Sequence, residues 1–60
     1  MDSALLEQIE WFCKRNLITR FTRTDILNIC KHLKYKVSHS QLIEAQLNAQ
    51  DDPVKLCLFI

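Results

Sequence analysis

Glycine is absent from this chain of 60 residues, and proline occurs once, at Pro53. Without glycine, a sharp turn between helices must place a residue with a side chain at a strained backbone angle. The chain also lacks an apolar run near the roughly 18 residues of a membrane-spanning helix, and its N-terminus lacks the pattern of a secretory signal. Neither a membrane-spanning protein nor a secreted precursor is therefore predicted.

The cysteines do not form the even, closely spaced set that cross-links a small secreted domain. There are three, at Cys13, Cys30 and Cys57, and each lies among apolar neighbours. Cys30 and His32 stand two residues apart, but no second pair of residues at metal-ligand spacing accompanies them. We therefore expect a reducing compartment, cytoplasmic or nuclear, and no metal site.

The length of the chain argues against an enzyme, because a domain of about 60 residues has one small core and little room for an enclosed substrate cavity. Cys30, His39 and Asp25 are the residue types of a nucleophilic triad, but nothing in the sequence builds an oxyanion site around them. The apolar segment 54–60 stops abruptly. We expect one non-enzymatic domain over residues 1–60, excised from a longer protein, without a cofactor or a small-molecule substrate.

Three segments carry helix signatures. The first helix should begin after Ser3, a good N-cap, and run to about Asn16. Segment 22–25 has the spacing of a capping box that opens a second helix, and segment 38–41 repeats the box before a third helix over about 39–50. Apolar residues at helical spacing predict the buried side of the first helix, namely Leu5, Leu6, Ile9, Phe12, Cys13 and Leu17.

The connections between the helices predict a corner and two strands. Only residues 35–37 separate the second and third helices, as in a helix-turn-helix, so Tyr35 or Lys36 would take the turn conformation. Segment 18–22 alternates in polarity as a short strand does. In segment 54–60, aliphatic residues at every second position alternate with Lys55, Cys57 and Phe59, which also predicts a short strand. The order of elements resembles the winged-helix family. The predicted fold is mainly α, a three-helix helix-turn-helix or winged-helix-like domain with one or two short strands; a plain three-helix bundle with a disordered tail is the alternative.

Basic charge is concentrated in the middle of the chain. Seven of the eight Lys and Arg residues lie between positions 14 and 36, a stretch with one acid, Asp25. Such a cluster favours contacts with phosphate groups. The winged-helix resemblance implies DNA contacts from the third helix, where Gln41 and Asn48 would read adenine edges. The predicted nucleic-acid-binding residues are Lys14, Arg15, Arg20, Arg23, Lys31, Lys34, Lys36, Gln41 and Asn48.

Apolar residues outside the predicted stripes favour a protein partner. Trp11 lies off the stripe of its helix, where an exposed aromatic is a common interface anchor; packing under the Phe59 end of the chain is the alternative. The last predicted strand is apolar on both faces and offers an unpaired edge to a homodimer or heterodimer partner. The predicted protein-binding residues are Trp11, Leu56, Leu58, Phe59 and Ile60.

Two functional hypotheses follow. The first is a non-enzymatic protein–protein interaction module, a small helical adaptor or oligomerisation domain whose basic residues steer an acidic partner. The second is DNA or RNA binding. The third helix counts against it, because that helix lacks Lys and Arg and carries Glu44. We favour the first hypothesis.

Overall fold

The computed structural model describes residues 2–60, in which four helices follow one another: α1 (Ser3–Arg15), α2 (Arg23–His32), α3 (His39–Ala49) and α4 (Pro53–Phe59). No strand occurs within this range. The prediction of a mainly α fold is confirmed. The prediction of one or two short strands is wrong, and the described part of the chain has a fourth helix that the sequence pattern did not indicate.

The start of α1 is capped by Asp2 and not by Ser3, as the sequence had suggested. The Asp2 carboxylate accepts hydrogen bonds from the N–H groups of Ala4 at 3.0 Å and Leu5 at 3.2 Å. Ser3 is the first residue of the helix itself. A carboxylate at this position also interacts favourably with the positive end of the helix dipole, so the cap contributes both hydrogen bonds and charge.

Both predicted capping boxes are confirmed. At the start of α2, the Thr22 hydroxyl accepts from the Asp25 N–H at 3.1 Å, and the Asp25 carboxylate accepts from the Thr22 N–H at 3.0 Å. At the start of α3, the Ser38 hydroxyl accepts from the Gln41 N–H at 3.2 Å, and the Gln41 side-chain oxygen accepts from the Ser38 N–H at 2.8 Å. Each box satisfies two N–H groups that the helix leaves free, which fixes where the helix begins.

The C-terminal segment forms α4 instead of the predicted strand. Asp52 caps this helix, because its carboxylate accepts a 2.9 Å hydrogen bond from the Val54 N–H. Pro53 takes the first helical position, where its missing N–H is no loss and its fixed φ favours a helix. The adjacent residues Leu56 and Cys57 are both buried in the same core, whereas successive residues of a strand point to opposite faces.

Segment 18–22, the other predicted strand, is an irregular connection between α1 and α2. The Phe21 side chain is buried in the core, and its backbone N–H donates a 2.8 Å hydrogen bond to the Gln50 carbonyl at the end of α3. Within residues 2–60 there is no neighbouring strand to pair with. The alternation in polarity therefore marks one buried aromatic residue and not a strand of a sheet.

The chain makes its turns without glycine, at the expense of backbone strain. Among residues 2–60, three with side chains take positive φ angles, Leu17 at 53°, Lys34 at 62° and Gln50 at 51°. Each follows the last residue of a helix or lies within two residues of it. At positive φ the Cβ atom clashes with the backbone, so a residue with a side chain is strained there, whereas glycine is not. Three of the four described helices thus end at a strained residue.

The corner between α2 and α3 spans residues 33–38 and is longer than the predicted turn. Lys34, and neither Tyr35 nor Lys36, takes the left-handed angle. The Tyr35 N–H then donates to the Cys30 carbonyl at 2.8 Å, which is the long hydrogen bond of a Schellman motif. This motif ends α2 and turns the chain toward α3.

One small core joins all four helices. The largest fully buried side chains are Ile9 of α1, Ile26 and Ile29 of α2, and Leu56 of α4. Helix α3 adds smaller residues, and alanine allows neighbouring helices to approach closely. Each helix therefore buries one side in the core and exposes its other side to solvent. The remaining buried apolar residues are Phe21, Cys30, Leu42, Ala45, Ala49 and Cys57.

The strained corner gives a prediction for stability. We expect Lys34→Gly to raise the free energy of unfolding by about 0.5–1 kcal/mol, because glycine relieves the positive φ at the end of α2. Lys31→Gly is the matched control, since it removes the same charge but places glycine inside the helix, where it costs about 1 kcal/mol. Urea unfolding followed by circular dichroism measures both changes. A Lys34→Gly variant that is no more stable than the parent would contradict the role of strain at this corner.

Candidate interaction surface

Trp11 projects from the outward side of α1 and is 53% exposed. Its ring stacks on His32, the last residue of α2, with centroids 6.1 Å apart and planes inclined by 21°. The guanidinium carbon of Arg15 lies 5.3 Å from the Trp11 ring centroid, within cation–π range. The indole is thus exposed to solvent and at the same time held by neighbours from two helices. Of the two sequence interpretations, packing under Phe59 is not seen, because Phe59 lines a different cleft.

His32 contacts a second aromatic residue of α1 as well. The Phe12 and His32 rings lie 5.7 Å apart with planes inclined by 46°. Phe12 is half-buried beside the core, so its ring is itself fixed. The His32 ring therefore links the end of α2 to two successive aromatic residues of α1. This contact was missed in the sequence analysis, because nothing in the spacing of the chain shows that residues 11 and 32 meet.

Leu17 is the most exposed large apolar side chain of the described residues, at 86%. The sequence pattern assigned it to the buried stripe of α1, and that assignment is wrong. Helix α1 ends at Arg15, and Leu17 takes its positive φ while the Ile18 N–H donates to the Cys13 carbonyl at 2.9 Å. This Schellman turn rotates Leu17 away from the core. An apolar residue at this position is unfavourable twice over, through backbone strain and through exposure to water.

An open groove runs along α1 and has a volume of about 670 Å³. Its apolar part is formed by Trp11, Leu17 and Ile18, and Pro53 closes it at the start of α4. Charged residues flank the apolar part, with acids toward the start of the helix and a lysine toward its end. We call this feature the α1 groove; the residues that define it here are Glu7, Glu10, Trp11, Lys14, Leu17 and Ile18.

The C-terminal residues predicted to bind a protein do not form one exposed edge. Leu56 is fully buried, so it serves the core and presents no surface to a partner. Phe59 is half-buried and Ile60 is partly exposed, and both line a smaller cleft of about 160 Å³ with Tyr35. Leu58 alone of this set is largely exposed, at 67%. The prediction of an unpaired strand edge is wrong because the segment is helical.

All seven basic residues of the central stretch are exposed. They do not lie on one element. Two lie at the end of α1, one in the following connection, two in α2 and two in the corner before α3. Arg23 and Lys31 stand near opposite ends of α2, roughly 12 Å apart along its axis. The seven basic residues, in chain order, are Lys14, Arg15, Arg20, Arg23, Lys31, Lys34 and Lys36.

The two amide side chains predicted to read bases are engaged within α3. The Gln41 side-chain oxygen accepts the capping hydrogen bond from Ser38, and the Asn48 side-chain N–H donates to the Glu44 carbonyl at 2.7 Å. A bidentate contact with adenine needs both the oxygen and the N–H₂ group of the amide. Leu47 is 68% exposed on the same helix and offers no hydrogen bond. The outward side of α3 is thus poorly suited to reading bases.

Two of the three cysteines, Cys13 and Cys30, have raised pKa values. Burial raises the pKa of the Cys13 thiol, and the negative charges of Asp25 and Glu10 raise it further. Burial also raises the pKa of Cys30. A catalytic cysteine needs the opposite shift, because the thiolate is the nucleophile. Within residues 2–60, no group of His, Cys, Asp and Glu is arranged to hold a metal ion, and none of the helices has the length and apolar character to cross a bilayer.

The contact between Trp11 and His32 gives a second prediction. We expect His32→Ala to lower the fluorescence anisotropy of Trp11, the single tryptophan, because the indole loses the ring that restrains it. Losing the aromatic contact should also reduce the free energy of unfolding by about 1 kcal/mol. His39→Ala is the control, since His39 is exposed at the start of α3. Equal anisotropy in the His32→Ala variant and the parent would show that the stack does not hold the indole.

Comparison with known proteins identified no relative of this chain. No family model, no curated protein and no solved structure matches the chain. The resemblance to the winged-helix family therefore stays a prediction, and the arrangement of α1, Trp11 and Leu17 is the evidence on which a function can be argued.

Proposed function

We propose that this chain is a non-enzymatic protein–protein interaction module that binds a polypeptide in the α1 groove. The observation that carries the proposal is the position of Leu17, an apolar residue at a strained turn, 86% exposed and lining the same groove as Trp11. Strain and exposure of this kind are tolerated where they serve a function. Covering Leu17 and Trp11 with a partner removes both apolar side chains from water.

The restraint on Trp11 supports the same proposal. A side chain that is already held loses less conformational freedom when a partner binds than one that rotates freely. His32 and Arg15 hold the indole while 53% of its surface stays open. Tryptophan and arginine are also the residue types that most often dominate the binding energy of an interface. The exposed indole is therefore suited to act as the anchor of the interface.

The charges of the groove add selectivity. Lys14 lies near one end of α1, and Glu7 and Glu10 lie nearer the other. Such rim charges steer the approach of a partner and favour one orientation, and they contribute less to the affinity itself. The matching partner carries basic groups beside the start of α1 and acidic groups beside its end.

Nucleic-acid binding is the second candidate, favoured by the exposure of all seven basic residues of the central stretch. It would rest on phosphate contacts, because Gln41 and Asn48 are engaged within α3. Such binding would be independent of base sequence and would weaken steeply with salt. The exposed and strained Leu17 has no role in it, and for this reason we place it second.

Selection from a displayed library of random peptides tests the first candidate. We expect enriched peptides to carry apolar residues together with both signs of charge, and their affinity to fall about tenfold or more in Trp11→Ala, as is typical of a central tryptophan. Leu58→Ala is the matched control, because Leu58 is similarly exposed but lies outside the α1 groove. Failure to enrich any peptide, or equal loss in both variants, would contradict the proposal.

A titration of labelled duplex DNA and single-stranded RNA, followed by fluorescence anisotropy, separates the two candidates. If the interaction is with protein, we expect no binding at physiological salt and little at low salt. Salt-sensitive binding that Lys34→Glu with Lys36→Glu abolishes, and that Trp11→Ala leaves unchanged, would instead favour the second candidate and overturn the first.

A further inference from the structure

The charges along the α1 groove are ordered with respect to Trp11. Glu7 and Glu10 precede the indole, and Lys14 follows it. All three charged residues line the groove together with Trp11, so they lie along one edge of the helix. At about 1.5 Å per residue, Glu7 lies roughly 6 Å before Trp11 along the axis and Lys14 roughly 4.5 Å after it. The edge is thus acidic on one side of its aromatic centre and basic on the other.

Two copies of such an edge have matching Glu7 and Lys14 charges only when their helices run antiparallel. When two copies of α1 pack antiparallel about a two-fold axis at Trp11, Glu7 of each copy comes beside Lys14 of the other. When the two helices pack parallel, Glu7 meets Glu7 and Lys14 meets Lys14, which is unfavourable. A two-fold axis uses the same surface on both molecules, which is the commonest arrangement of protein dimers.

We propose that the polypeptide bound in the α1 groove is a second copy of this chain, packed with its α1 antiparallel to the first. The proposal rests on the proposed function and names its partner. In this arrangement the two Trp11 rings meet at the centre, and each pair of Glu7 and Lys14 is formed twice. Leu17 of each copy is covered beside the start of the α1 helix of the other.

The opposite edge of α1 is compatible with the same packing. Gln8 and Arg15 lie there, three residues before and four residues after Trp11. Antiparallel helices place the Gln8 side chain of one copy beside the Arg15 guanidinium of the other, and a carboxamide oxygen can accept from that group. Arg15 keeps its place over its own indole and needs no rearrangement. This edge of the interface then carries no like charges in opposition. On the other edge, the two Glu10 carboxylates lie nearest the two-fold axis and face each other, which opposes association and keeps the dimer weak.

The interface is small, because it involves one helix of thirteen residues and the turn that follows it. Small interfaces belong to weak and transient complexes, so we expect a dissociation constant on the order of 100 µM. Sedimentation equilibrium of the whole chain between about 5 and 500 µM covers this range. The parent should pass from monomer to dimer across it.

Charge reversal tests the antiparallel arrangement. Glu7→Lys and Lys14→Glu should each weaken the dimer about tenfold, because each places like charges together at two symmetric positions. The double variant restores both pairs with the signs exchanged, and it should dimerise as the parent does. Lys55→Glu on α4, outside the groove, should have no effect. Far-ultraviolet circular dichroism checks that every variant keeps its helices.

The outcomes separate the partner from the function. A parent that stays monomeric at 500 µM, or single reversals that the double variant does not rescue, would overturn the second copy as partner. If peptides selected on the domain still require Trp11 in that case, the interaction function stands and only the partner is wrong. If such peptides do not require Trp11, the groove is not an interaction surface and both proposals fail.

Discussion

The structure depends on a single small core shared by four short helices. Ile9, Ile26, Ile29 and Leu56 are fully buried at its centre, and each of the helices that they come from has one side to contribute. A chain of this length buries a smaller share of its surface than a larger domain does. Within residues 2–60, the outward side of α1 is therefore left largely uncovered, and His32 of α2 stacks on part of it. What stands on that side, Trp11 and the neighbouring Leu17, is available to another molecule.

The absence of glycine strengthens this argument. Every turn that needs a positive φ takes it with a residue that has a side chain, at Leu17, Lys34 and Gln50. At Lys34 the side chain is polar and reaches solvent without penalty. At Gln50 the strained carbonyl accepts the Phe21 N–H and so connects α3 to the segment before α2. At Leu17 neither reason applies, because the side chain is apolar and exposed, which makes it the residue that most needs a functional explanation.

The sequence predicted those features that depend on neighbours three or four residues apart. The two capping boxes are of this kind, since Thr22 with Asp25 and Ser38 with Gln41 act within one helical turn. The position of Trp11 off the apolar stripe left two interpretations open, an exposed anchor or packing under Phe59, and the structure has the indole exposed. The amphipathic pattern was therefore sufficient to place α1, α2 and α3 to within one residue at each end where a prediction had been made.

The features that failed depend on more distant residues or on ambiguous local signals. The seven residues 54–60 fit the pattern of a strand. However, Asp52 and Pro53 also form a good helix start, and the helix is the conformation that buries both Leu56 and Cys57 in the core. Leu17 continues the periodicity of α1 past the point where the Schellman turn ends the helix. The stack of His32 on Trp11 joins residues that are far apart in sequence, which no local pattern contains. The sequence thus indicated Trp11 as part of the interaction surface, but it indicated neither Leu17 nor His32.

The central claim is that the outward side of α1, with Leu17, is the surface at which this chain meets another polypeptide, and that this polypeptide is a second copy. Amide chemical shifts of the nitrogen-15-labelled chain, recorded over a hundredfold range of concentration, test it most directly. The account predicts concentration-dependent shifts confined to residues 3–18, including the Trp11 indole N–H. Shifts centred instead on the exposed Leu47 or Leu58, or spectra independent of concentration, would contradict it.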